Sequence, residues 1–80
     1  MIYVLARNRE DHRDWLHRAG LASRNALYLA TPNACRGYRL DCRDVVALPG
    51  FWGRRDGEID LFHRNLVAAG VDWSKIHTVR

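Results

Sequence analysis

Three short apolar runs and two stretches with helical spacing organise this chain. Ile2-Tyr3-Val4-Leu5-Ala6 is a β-prone run with no polar position. A strand covered on both faces reads this way, as in a parallel sheet. Arg7 and Asn8 end it. Asn8 is a good helix N-cap, and Asp11 sits three residues later as a weak capping-box partner. His12, Trp15, Leu16 and Ala19 then share one helical face, while Arg9, Arg13, Asp14 and Arg18 fall mostly away from it. Gly20 is placed to stop this helix in the left-handed conformation.

Ala26-Leu27-Tyr28-Leu29-Ala30 is the second run, and strand, helix and strand within thirty residues predict a βαβ unit with a right-handed crossover. Thr31-Pro32 suits a capped helical turn over residues 32–36, with Gly37 ending it. Asp44-Val45-Val46-Ala47-Leu48 is the third run, closed by Pro49-Gly50. A second helix follows, with Asp56 as its cap. Ile59, Phe62, His63 and Leu66 lie on its inner face, and Gly70 is its stop. Lys75 to Val79 suits a short edge strand. The expected architecture is a single α/β domain over residues 1–80. It is a small Rossmann-like fold with a three- or four-stranded, mainly parallel sheet ordered 2-1-3, the terminal strand outside 3, and two main helices. Val4, Leu16, Leu29, Val46, Phe62 and Leu66 are the expected core.

Length changes this picture in one respect. An 80-residue chain buries only about 60–65% of its unfolded surface, so small domains are marginal and often recruit a partner. In the proposed order each face of the sheet carries one helix and is half bare. A homodimer is the simplest cover, with Tyr3, Tyr28, Trp52 and Trp73 as the aromatics expected at the contact.

Charge adds a second idea. The net charge is +4, and twelve of the thirteen basic residues are arginine. The excess lies in the first two-thirds: residues 56–80 carry three bases against four acids, Asp56, Glu58, Asp60 and Asp72. Arginine makes bidentate contacts to phosphate and carboxylate. Arg7, Arg36, Arg39, Arg54 and Arg55 are therefore the candidate residues for binding an anion or nucleic acid, set against the plainer reading of a solvated basic surface.

The candidate site lies in the loop from Pro49 to Asp56. In open α/β sheets ligands bind beyond the carboxyl ends of the strands, and this loop lies there with Arg7, Asn8 and Thr31. Phe51 and Trp52 are suited to a partner's pocket or to stacking on a base, and Arg54 and Arg55 to an acidic group. Equally, either aromatic can fold back as a lid on the core. Phosphate cradles need a glycine-rich turn entering a helix. Here Ala6-Arg7-Asn8-Arg9 follows the first strand, so dinucleotide or ATP binding is not expected. Cys35 and Cys42 lack the spacing of a zinc or thioredoxin-like site. Cys35 lies beside the helical turn, a setting that lowers a thiol pKa, but no histidine is placed to activate it. No nucleophile, base and orienting group come together, so neither enzymatic activity nor a cofactor is expected. No run is long enough to span a membrane, and the polar segment from Arg7 argues against a secretory leader. With two free thiols, a cytoplasmic setting follows.

Arg36-Gly37-Tyr38-Arg39-Leu40-Asp41 leading into Asp44-Val45-Val46-Ala47-Leu48 resembles the stretch before the third strand of RecA-like ATPase and helicase cores. There an apolar strand ends in acidic magnesium ligands; here Leu48 and Pro49 stand at that end, and the phosphate loop is missing. The resemblance implies a Rossmann-like sheet without ATPase chemistry. In length, arginine bias and the Val-Val-Ala-Leu-Pro-Gly-Phe-Trp segment, the chain is also similar to small uncharacterised Arg-rich α/β proteins of actinobacterial phages. That similarity carries no catalytic residues. It implies a protein that binds a host protein in the host cytoplasm. The leading expectation is thus a non-enzymatic interaction protein, the alternative an anion or nucleic-acid binder.

Overall fold

A computed structural model describes residues 1–36 and 39–79, apart from the side chain of Cys42. Gly37, the expected end of the turn after Thr31, lies outside the described residues. Four strands, β1 (Ile2–Leu5), β2 (Ala26–Tyr28), β3 (Val45–Ala47) and β4 (His77–Thr78), form one sheet in the order β2-β1-β3-β4. All three pairings are parallel, with Tyr3 level with Leu27 on one side and Val45 on the other. Two helices, α1 (Arg9–Ala19) and α2 (Asp56–Ala68), complete a small Rossmann-like α/β fold.

The side chains of β1 alternate between two cores. Tyr3 and Leu5 join Val45, Ala47, Leu29, Phe62 and Leu66 on the α2 face. Val4 and Ala6 join Ala26, Leu48 and Leu16 on the α1 face. This is the period of two expected of a pleated strand, and it explains the absence of polar positions in the run. The helices lie on opposite faces because the chain moves outward from β1 in opposite directions, first to β2 and later through β3 to β4. Crossovers of one hand then place their helices on opposite sides.

Both helices begin and end for local reasons. Asn8 accepts from the Asp11 N–H at 2.9 Å and caps α1. Gly20 ends it at φ 67°, a conformation that costs glycine little. Asp56 is not the cap of α2 but its first residue. Arg55 takes the cap position without a side-chain hydrogen bond, and Asp56 and Glu58 place negative charge in the first turn, where the helix dipole favours it. His63 is exposed. The buried residues of α2 are Phe62 and Leu66, with Ala69 following on the same stripe.

The two faces are covered unequally. On the α2 side the chain supplies its own cover. The 3-10 turn Pro32–Cys35 packs on α2, tied by Asn65, whose Nδ2 donates to Pro32 O at 2.7 Å. Phe51 and Trp73 fill in beside it. Among the described residues, the α1 side has one helix and the flanking loops. Val46, expected in the core, is half-buried there, packed at the margin of this smaller cluster with Val79 and Ile2. The expectation of two half-bare faces therefore narrows to one.

Candidate functional site

Because every strand is parallel, all four carboxyl ends lie along one edge of the sheet, and the loop after β3 runs across it. Pro49–Gly53 coils into a 3-10 turn with proline at its start. The turn drives Phe51 inward, where the side chain is wholly buried and meets the Phe62 ring edge-on at 5.2 Å. Phe51 is thus the lid on the core and presents nothing to a partner. Trp52 turns outward and stays 41% exposed. Its Nε1 donates to Thr78 Oγ1 on β4 at 3.3 Å. Its ring meets Trp73 edge-on at 5.5 Å, and Trp73 in turn stacks on His63 at 4.7 Å. Trp52, Trp73 and His63, drawn from three separate elements, form a continuous aromatic surface beside the open edge of β4. Val67, also exposed, lines the same flank of α2 as His63.

Arg54 takes a different role from its neighbour Arg55. Its side chain is only 13% exposed. Nη1 donates to Ala6 O at 3.1 Å and to Ala30 O at 3.4 Å. Nη2 donates to Glu58 Oε2 at 2.6 Å, and the guanidinium lies 5.0 Å from the centre of the Phe62 ring. Ala6 directly follows β1 and Ala30 closes the second apolar run, two residues past β2, so Arg54 satisfies carbonyl groups that the sheet leaves unpaired. Beside it, the crevice between β1 and β3 is filled. A Cβ on Gly50 would stand 2.9 Å from Asp11 Oδ2 and 3.2 Å from Arg7 Cβ. Arg7 is engaged with Asp11 through Nε to Oδ2 at 3.3 Å. The place where open α/β sheets hold a ligand is occupied here by Arg54, Arg7, Asp11 and the backbone of Gly50.

Of the five arginines read as an anion-binding set, the fold brings Arg7 and Arg54 to one edge and engages both with carboxylates. Arg36, Arg39 and Arg55 are exposed. Among the described residues no group of three or more His, Cys, Asp or Glu side chains is placed to hold a metal ion. Cys35 is buried, and desolvation pushes its thiol up to about 11, the reverse of the activation its neighbouring turn suggested. Tyr3 belongs to the α2-side core and Tyr28 to the α1-side core, each half-buried.

A second feature lies at the opposite edge of the sheet. His12 is 7% exposed and stacks on Tyr28 at 5.2 Å, and its Nδ1 has no hydrogen-bond partner among the described residues. Burial, and then the charge of Arg9, lower its pKa. A groove of about 400 Å³ opens beside it, between α1 and β2, with Arg9 and Arg13 among its walls. The sequence carries one sign of this groove, a basic i, i+4 pair flanking His12. Only the position of β2 at the sheet edge turns that pair into a wall.

No helix of the described residues is long and apolar enough to cross a membrane. No family model, curated protein or solved structure matches the chain.

Proposed function

We propose that the protein is a non-enzymatic interaction module that binds a protein partner, either a second copy or another chain, through the surface of Trp52, Trp73 and His63. The observation that carries this reading is Trp52. Its indole lies 41% exposed in an edge-on contact with another tryptophan, beside the exposed Val67. Partly exposed tryptophans held by their neighbours are the residue type that dominates binding energy at protein interfaces, because a large rigid ring is desolvated at small entropic cost. Arg55 is exposed near the same loop and suits the polar rim of such a contact, where charges set orientation more than affinity. The arginines support this reading over nucleic-acid binding, since Arg54 is held within the fold and the exposed Arg7 is paired with Asp11.

The test has two arms, each run on wild type and on Trp52→Ser. Light scattering over a tenfold concentration range reads self-association from the 9.3 kDa monomer. Affinity capture from a cell lysate reads a foreign partner. The expected result is a dimer, or a stoichiometric captured protein, that is lost in Trp52→Ser while the circular dichroism spectrum is kept. A monomer throughout, together with identical capture by both chains, overturns the proposal.

A further inference from the structure

We propose that the groove between α1 and the open edge of β2 binds an extended acidic segment of a partner protein, added beside β2 as a fifth strand. The site lies at the edge of the sheet opposite β4 and the Trp52 surface, so the two readings stand or fall separately.

The edge offers the main-chain groups that such a segment needs. In a parallel ladder, alternate residues direct both of their polar groups to the same neighbour. The Leu29 N–H donates to Val4 O at 2.9 Å, so Leu29 and Leu27 face β1. Tyr28 then directs its N–H and C=O away from the sheet, and Ala26 its C=O. The Ala26 N–H is already held by Ser23 O.

The groove also selects for charge. Arg9 and Arg13 stand four residues apart on the flank of α1 that overhangs this edge, and among the described residues no carboxylate lines the groove. Four residues of helix rise about 6 Å. Two residues of strand advance about 6.7 Å. Acidic side chains at alternate positions of an added strand therefore fall in step with the two guanidinium groups. Between them, Leu16, Ala26 and Tyr28 give an apolar floor. Main-chain pairing supplies affinity in this mode of recognition, and the side chains over the groove supply the choice of partner. The basic wall and open main-chain edge together favour an acidic peptide over a nucleic acid, which lacks the alternating amides to pair with Tyr28.

The experiment is an amide chemical-shift titration of the full-length, isotope-labelled chain. The ligand is a synthetic peptide of about eight residues alternating glutamate and valine. Its controls are a lysine–valine peptide and a short oligothymidylate. The expected result is saturable shifts of Tyr28, Leu27 and the α1 residues from Arg9 to Leu16, at low ionic strength. In the Arg9→Gln/Arg13→Gln variant the Kd rises about tenfold or more. Both arginines are exposed, so the variant's melting temperature stays at the wild-type value. A Tyr28→Pro variant, which removes the outward N–H and the ring on His12 but no hydrogen bond to β1, also loses binding with its circular dichroism spectrum kept. The proposal is overturned by any of four results: no shifts at millimolar peptide, shifts only elsewhere on the chain, equal binding by the lysine–valine peptide or the double variant, or displacement by oligothymidylate at lower concentration than the peptide itself requires.

Discussion

Arg54 and Glu58 meet at 2.6 Å, four residues apart across the start of α2, and this ion pair fixes a guanidinium over the ends of two strands. The pair is largely shielded from solvent, more so at Arg54 than at Glu58, and its arginine also satisfies the Ala6 and Ala30 carbonyls. Removing the guanidinium leaves those acceptors and a carboxylate short of partners. Each such loss costs about 1–3 kcal/mol. Arg54→Met is therefore expected to destabilise the fold by about 2–4 kcal/mol in urea unfolding, far more than Arg55→Met at the exposed neighbouring position. Equal effects of the two would show that Arg54 does not hold the strand ends.

Leu66 and Val46 separate the two faces of the sheet. Leu66 is wholly buried on the inner face of α2, and Leu66→Ala is expected to cost about 2–5 kcal/mol. Val46 is half-buried on the less covered face. Val46→Ala removes two methyl groups that are already partly in water, at an expected cost of about 1 kcal/mol. Thermal melts of the two variants check the ranking.

His12 makes stability depend on pH on the acid side of neutrality. Its folded pKa is lowered by burial and by Arg9, so the unfolded chain takes up its proton first as pH falls. Stability is then complete above the ordinary value near 6.5 and declines as pH drops through the lowered folded value. His12→Phe keeps an aromatic ring against Tyr28 and removes the unpartnered Nδ1. Urea midpoints at pH 7 and pH 5 are expected to differ more in wild type than in His12→Phe, with the variant at least as stable at pH 5.

Cys35 gives the opposite trend in alkali. Its thiol is raised from 9.0 to about 11 by desolvation, so between those values the folded chain holds a proton that the unfolded chain has released. Stability is unaffected below pH 9 and falls above it. In a Cys42→Ser background, a thiol reagent at pH 8 is expected to label Cys35 only as fast as the chain opens. Rapid labelling of the folded protein would place the thiol at the surface.

Local pattern alone carried most of the architecture. The apolar runs at Ile2, Ala26 and Val45 became strands, and the spacing of Leu16, Phe62 and Leu66 became the inner faces of helices. The stop at Gly20 followed from its place after the last apolar position. These features depend on backbone sterics and on side-chain periods of two and 3.6, which act within a few residues and are therefore written into neighbouring positions. The strand order could also be read in advance, because short connections and crossovers of one hand leave few alternatives. What only the tertiary structure decided was the fate of individual side chains in the loop after β3. Phe51, Trp52 and Arg54 are near neighbours in sequence, yet one enters the core, one faces water and one caps strands from 24 and 48 residues away. Each destination is set by distant partners: the Phe62 ring, the Thr78 hydroxyl, and the Ala6 and Ala30 carbonyls. Val46 and His63 left their expected places for the same reason. Burial depends on what lies across a face, and no periodicity along one strand or helix reports how far its neighbour extends.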